Sequence, residues 1–240
     1  GGRGAGVTVD LEPFKREASE AAIEAEVRSG MVLGLGTGST AAWLLDGLAR
    51  RLSEGALSGI AGVPTSERTA QRCRELGIPL IDLERRPSLD LAIDGADEIA
   101  PDLSLIKGLG GAHLREKVVA RSAGRFVVVA DETKLVSRLG ERAAVPVEVI
   151  PFARPLCERL LVADGWRPLL RADGDGPWIT DEGNLILDCR RDDWSDPSRL
   201  AAGLHEIPGV VEHGLFLGMA AAAYVACADG VRVLQAGVGV

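Results

Sequence analysis

Aromatic side chains are scarce in this chain of 240 residues: Phe, Trp and Tyr together make up 4% of it, with a single tyrosine. Its core has to be packed from alanine, leucine and valine, and 30 glycines imply many tight turns, a composition that suits an α/β protein. Basic residues are also short. Lys and Arg number 27 against 35 Asp and Glu, a net charge of −8, and no basic stretch is concentrated enough to grip a nucleic-acid backbone. An anionic ligand would meet an opposing field, so a few placed lysines and backbone amides have to draw it in. Cysteines number four, and Cys73, Cys157, Cys189 and Cys227 show neither metal nor redox spacing, which predicts reduced thiols in a cytoplasmic protein. His113, His205 and His213 stand apart in the sequence, so no metal is expected. The N-terminal GGRGAG has no charged-then-apolar leader pattern and reads as an unstructured extension. The run Leu215–Ala228 is too short to cross a bilayer, so no membrane partner is expected either.

What is present is an alternation of helical and strand patterns. Ala18, Ala21, Ala22 and Ala25 follow helical spacing across Glu12 to Ser29, with Gly30 as a stop. Met31–Leu35 is an apolar run of strand length, followed by GLGTGST and then a helical pattern from Ala41. This order of strand, glycine turn and helix cradles phosphate in doubly wound sheets, and the Ser39 and Thr40 hydroxyls add donors. Further strands are predicted at Gly59–Val63, Pro79–Leu83, Leu89–Ile93 and Arg125–Ala130, with a helix from Glu67 to Leu76 capped by Thr65 or Ser66. The predicted fold is a doubly wound, mostly parallel open α/β sheet, whose ligands bind beyond the carboxyl ends of the strands.

Past Arg142 the pattern changes. Val145–Pro151 reads as a strand, Arg154–Asp164 as a helix, and Arg167–Asp188 as two strands joined by a polar loop. Residues 143–214 are therefore expected to form a smaller α+β domain, and residues 1–142 with 215–240 a Rossmann-like catalytic domain that Val231–Gln235 rejoins.

The chemistry concentrates between Asp94 and Lys117. Asp94, Asp97 and Glu98 follow the strand that ends at Ile93; Lys107 precedes the glycine loop Gly108, Gly110, Gly111; and the helix that follows carries Glu116 in its second turn. Taken singly, each is ordinary turn or surface chemistry. In combination they gather a carboxylate, a cation and bare N–H groups around one volume, the set needed to move a proton between adjacent carbons of a sugar. Lys134, in Ala130–Lys134 at another strand end, adds a second cation.

The segments GLGTGSTA, VPTS, DGADEI, KGLGGAHLREK, ADETK, PVEVIP, DEGNLILD and PGVVEHGLF, in this order, resemble the type A family of ribose-5-phosphate isomerases from about Lys15 to the C-terminus. The resemblance implies a cofactor-free enzyme of the pentose phosphate pathway that interconverts ribose 5-phosphate and ribulose 5-phosphate, as a homodimer or a dimer of dimers. It implies Glu116 as proton acceptor and substrate contacts at Thr37, Gly38, Ser39 and Thr40, at Asp94, Gly95, Ala96 and Asp97, at Lys107, Gly108, Leu109 and Gly110, and at Lys134. Leu109 stands where many members have glycine, and Lys15 and Arg16 compete for the place of an N-terminal lysine. In the expected mechanism Asp94 assists ring opening, Glu116 carries the proton between C2 and C1, Lys107 and the loop amides hold the growing oxyanion, and Asp97 orients hydroxyls or Lys107.

Three other readings follow from parts of the pattern. Gly36, Gly38 and Ala41 fit a dinucleotide-binding turn, with Glu67 the candidate for the ribose hydroxyl. A non-catalytic sugar-phosphate sensor would need the phosphate turn alone. A two-metal hydrolase would draw on Asp94, Asp97 and Glu98.

Overall fold

The computed structural model describes residues 10–237; the reading of GGRGAG as an extension falls outside them. In chain order the elements are α1 (Glu12–Glu26), β1 (Val32–Leu35), α2 (Ser39–Ser53), β2 (Ala61–Pro64), α3 (Glu67–Glu75), β3 (Leu91–Asp94), β4 (Glu98–Ile99), β5 (Leu105–Ile106), α4 (His113–Ser122) and β6 (Phe126–Asp131). The remainder are β7 (Val145–Val149), α5 (Arg154–Ala163), β8 (Arg167–Leu170), β9 (Ala172–Asp173), β10 (Gly176–Pro177), β11 (Leu185–Arg190), α6 (Pro197–His205), β12 (Val210–His213), β13 (Leu215–Phe216), β14 (Ala222–Cys227) and β15 (Gly230–Gln235).

The central sheet has six strands in the order β15-β14-β6-β3-β1-β2. Every pairing in it is parallel except that of β14 with the edge strand β15. Its inner strands are apolar because both faces are covered. Leu33, Leu35, Leu91, Ile93, Val127 and Val129 pack under α1 and α2 on one face, while Ala92, Phe126, Val128 and Val119 of α4 share the other. The chain leaves β1 for β2 on one side and reaches β3 on the other, which opens a crevice at their carboxyl ends.

A four-stranded antiparallel sheet, β12-β7-β11-β8, packs Val145, Val147, Leu187 and Cys189 against Trp166, Leu161 and Leu204. Two smaller sheets, β13-β5-β4 and β10-β9, complete the strands. Pro79–Leu83 is not a strand: Leu80 alone bridges to Gly62, because Pro79 has no N–H to extend a ladder there. The apolar run from Leu215 supplies both β13 and β14. All four cysteines are buried free thiols. Among the described residues no helix is long and apolar enough to cross a membrane.

Candidate active site

The glycine turn after β1 is held by the end of β3. Gly36 N–H donates to the Ile93 carbonyl at 3.0 Å and Thr37 N–H to Asp94 Oδ1 at 3.1 Å. A Cβ on Gly36 would stand 2.1 Å from Asp94 Oδ1, so only glycine allows the two loops to come this close. The Thr37 hydroxyl lies 2.7–3.1 Å from those of Thr65, Ser66 and Thr69, which fixes the turn from below. Ser66 caps α3 by accepting from Thr69 N–H, as expected of that segment. Helix α2 starts after Gly38 without a side-chain cap, so its first N–H groups face outward with the Ser39 and Thr40 hydroxyls, suited to a phosphate.

Beneath this turn lies a buried charge cluster. Lys107 Nζ is 3.0 Å from Asp94 Oδ2 and 3.3 Å from Glu116 Oε2, and it donates to the Gly95 carbonyl at 2.5 Å. None of the three side chains is more than 5% exposed. Burial pushes the Glu116 carboxyl up to about 8, helped by the Asp94 and Asp97 charges and opposed by Lys107. Burial also raises Asp94, against Lys107 and the Gly95 and Thr37 N–H groups. One ammonium cannot fully balance two buried carboxylates. Asp94 has two N–H donors on Oδ1 and the shorter ion pair, so it keeps the negative charge, while Glu116 Oε2 has no hydrogen-bond donor and takes up a proton first. Burial works against the charge on Lys107, but Asp94, Glu116 and Asp97 outweigh it and hold the ammonium charged well beyond neutral pH.

The loop between Lys107 and α4 completes the site. Gly108 adopts φ +106°, and Gly111 N–H closes a turn onto the Gly108 carbonyl at 3.0 Å. Asp97 Oδ2 accepts from Leu109 N–H at 2.9 Å, an orienting contact to the loop backbone rather than to Lys107. A cavity of about 90 Å³ is bordered by Thr37, Gly38, Ser39 and Thr40, by Gly95, Ala96 and Asp97, by Lys107, Gly108 and Gly110, and by Glu116 and Lys134. The structure thus brings nearly every predicted residue to one place.

Two predicted contacts sit differently. Asp94 lies behind Lys107 and does not border the cavity; Leu109 turns its side chain outward, 53% exposed, and offers only its backbone. Leu109 is not among the positive-φ residues, so a side chain is accommodated where many relatives were expected to need glycine. Lys15 pairs with Glu12 at 2.7 Å, and Arg16 lies over the Trp43 ring at 6.0 Å.

Glu98 turns away from the crevice and accepts from the N–H groups of Gly140, Arg142 and Ala143 at 2.6–2.7 Å. With Asp94, Asp97 and Glu98 aimed at three separate partners, the acid set of a two-metal hydrolase is not assembled. Glu67 is exposed and pairs with Arg115 at 2.8 Å, which takes the candidate ribose-binding acid off the glycine turn. A larger cavity, about 740 Å³, runs past Leu80, Leu83, Leu114 and Val118 and holds none of the buried acids. Size does not locate the chemistry here; the convergence of titratable groups does.

His205 and His213, eight residues apart, converge with Glu212, their ligand atoms within 4.8 Å of one another. This corrects the expectation that the histidines stay separate. The Lys117 ammonium, 2.6 Å from Glu212 Oε1, already supplies a cation there, and His213 Nδ1 accepts from Leu215 N–H at 3.2 Å. Sequence reading also missed Arg171, which donates to the Gly108 and Leu109 carbonyls at 3.0 Å; no local pattern ties residues so far apart.

Residues 61–230 match the family described as ribose 5-phosphate isomerase A (phosphoriboisomerase A). Ribose-5-phosphate isomerase A of Roseiflexus castenholzii is 60% identical over 228 residues, covering 95% of this chain and 97% of that protein. The Chloroflexus aurantiacus protein of the same name is 50% identical, covering 94% of each. Among solved structures, ribose 5-phosphate isomerase A of Methanocaldococcus jannaschii superposes with a TM-score of 0.89 at 41% identity, covering 94% of this chain and 100% of that one. A D-ribose-5-phosphate isomerase in complex with phospho-erythronic acid superposes with a TM-score of 0.92 at 39% identity, covering 95% and 100%. The carboxylate, lysine and two glycine turns described above are therefore those of a member of the ribose 5-phosphate isomerase A family, to which this chain belongs.

Proposed function

We propose that this chain interconverts D-ribose 5-phosphate and D-ribulose 5-phosphate in the pentose phosphate pathway, with Glu116 as the base that carries the proton. The observation that supports this best is the placement of Glu116 Oε2, 3.3 Å from Lys107 Nζ, in the same cavity as the Gly38–Thr40 turn. The phosphate is held by the first N–H groups of α2, the Ser39 and Thr40 hydroxyls and Lys134. The sugar then reaches down toward Glu116.

After ring opening, in which Asp94 assists through Lys107 from behind the cavity wall, Glu116 removes the C2 proton of the aldehyde. A cis-enediolate forms, the same carboxyl returns the proton to C1, and the hydroxyl proton of O2 passes to O1, which leaves the carbonyl at C2 of the ketose. An ordinary glutamate, with a pKa of about 4.3, is a weak base for this step. Burial and the neighbouring acids give the Glu116 carboxyl its higher proton affinity. Charge that develops on the carbonyl oxygen is met by Lys107 and the loop N–H groups, while Asp97 keeps the loop in place. No step calls for a cofactor.

The same proposal divides the chain into a catalytic unit, residues 1–142 with 215–240, and a smaller unit, residues 143–214, and places it in the cytoplasm as a homodimer or a dimer of dimers. Its central test is incubation with ribose 5-phosphate in deuterated water. Ribulose 5-phosphate carrying solvent deuterium at C1 is the expected product. Absence of any ketose would overturn the activity, and full retention of the C2 hydrogen at C1 after prolonged equilibration would replace the enediolate route with a hydride shift.

A further inference from the structure

The glycine loop that shapes the oxyanion side of the cavity is tied to the antiparallel sheet by one side chain. Arg171 follows β8, and its backbone is fixed on both sides: its N–H donates to the Ile186 carbonyl and its carbonyl accepts from Trp178 N–H, each at 2.9 Å. The guanidinium is gripped by Asp188 of β11, with Nε to Oδ2 at 2.9 Å and Nη2 to Oδ1 at 2.5 Å. This bidentate pair, 11% and 23% exposed, leaves Nη1 aimed at the loop. Nη1 donates to two successive carbonyls, those of Gly108 and Leu109, at 3.0 Å each.

Two consecutive carbonyls turned to one side are foreign to a strand, where they alternate. Here the turn closed by Gly111 N–H on the Gly108 carbonyl permits it, with Leu109, between the two peptide planes, as its first central residue. A trans peptide is planar, so its N–H points opposite to its C=O. Holding the Gly108 carbonyl therefore directs the Leu109 N–H the other way, onto Asp97 Oδ2 at 2.9 Å. Holding the Leu109 carbonyl directs the Gly110 N–H in the same manner. That N–H finds no acceptor among the described residues, and Gly110 borders the catalytic cavity.

We infer that Arg171, clamped by Asp188, is a positioning residue for the isomerisation: it sets the peptide planes that present the Gly110 N–H to the enediolate oxygen and the Leu109 N–H to Asp97. It touches no substrate. The inference rests on the isomerase reading of the site, and it makes the antiparallel sheet part of the catalytic apparatus rather than a passive neighbour.

The test compares the full-length parent with Arg171→Met, Arg171→Lys and Asp188→Asn, each checked for a cooperative thermal transition. A misaligned donor affects the transition state more than the ground state, so Arg171→Met lowers kcat by about 10- to 100-fold with KM within about twofold. Affinity for 4-phospho-erythronic acid, whose planar carboxylate presents two oxygens as an enediolate does, falls in step with kcat/KM. Inhibition by inorganic phosphate, which reads only the Gly38–Thr40 turn, stays at the parent value. Arg171→Lys recovers part of kcat because an ammonium still reaches the carbonyls. Asp188→Asn loses kcat several-fold with the same pattern and serves as the deciding variant should Arg171→Met fail to fold. A folded Arg171→Met or Asp188→Asn enzyme with parental kcat overturns the inference, as does an equal loss of phosphate and phospho-erythronic acid binding. A parent chain without isomerase activity would instead refute the reading of the site itself.

Discussion

Glu116 Oε2 stands 3.3 Å from the Lys107 ammonium with no hydrogen-bond donor aligned to it. A buried carboxylate left this way is a poor anion and a good proton acceptor, at a position where a sugar carbon would approach. Replacement by glutamine keeps the shape and removes the base. Glu116→Gln is expected to lower kcat by about a hundred- to ten-thousand-fold. Binding of ribose 5-phosphate, measured by calorimetry, should change by no more than about threefold, because the phosphate turn is untouched. Turnover near the parent rate would take Glu116 out of the role of base.

The same carboxyl governs the pH dependence. It acts only when deprotonated, and burial with the Asp94 charge lifts it to about 8. Activity should therefore rise with pH and level off above that value, kcat/KM falling about tenfold per unit on the acid side. Stability runs the other way. A carboxyl whose folded pKa exceeds its unfolded value contributes fully below the unfolded value, and that contribution is lost as pH rises through about 8. Glu116→Gln, which cannot ionise, should gain stability over the parent as pH rises from 5 to 9. A parallel pair of Tm-versus-pH curves would show that Glu116 is not strained as an anion.

These relationships differ in how far they show in the sequence. The turn at Gly36–Thr40 and the helix carrying Glu116 are local, set by glycine and by apolar spacing within a few residues, and both lie where those signals put them. The strand ends meet because a parallel doubly wound sheet gathers them along one edge. Two-residue strands such as Glu98–Ile99 and Leu105–Ile106 are too short for any periodicity. The three acids of the DGADE turn look equivalent in sequence, yet Asp94 meets Lys107, Asp97 meets a loop N–H, and Glu98 serves a different loop altogether. That division of labour depends on backbone direction at each residue, which composition does not carry. Arg171 is less visible still, since the loop carbonyls it holds lie more than sixty residues away.

Lys107 is the only cation within 4 Å of both Asp94 and Glu116 among the described residues. Lys107→Met would leave two buried acids to face each other, which they can do only by protonation. The variant is expected to lose about 3–5 kcal/mol of stability at pH 8 and much less at pH 5, where both carboxyls can be neutral. It should also lose about 100- to 1000-fold in kcat, as for removal of an oxyanion donor. Urea unfolding at the two pH values checks the first claim. An equal deficit at both would mean that lost packing against Phe216, whose ring centroid lies 5.5 Å from Nζ, outweighs the charge balance.

Gly36 offers a test of how closely the two loops are matched. A methyl group there would lie 2.1 Å from Asp94 Oδ1 and 2.7 Å from the Asp94 Cα, and the second contact cannot be relieved by turning a side chain. Gly36→Ala therefore has to push β1 away from β3 at the switch point, breaking the hydrogen bond from Thr37 N–H to Asp94. Overpacking of this kind costs about 1–3 kcal/mol, and backbone involvement places this case toward the upper end. With Asp94 displaced, the charge on Lys107 shifts toward Glu116 and lowers the proton affinity of that carboxyl. The acid limb of the pH–rate profile should move down while kcat falls, and thermal denaturation should show the stability loss independently. A Gly36→Ala enzyme with parental Tm and an unmoved profile would mean that the turn can retreat freely, and that the approach of β1 to Asp94 does not set the electrostatics of the site.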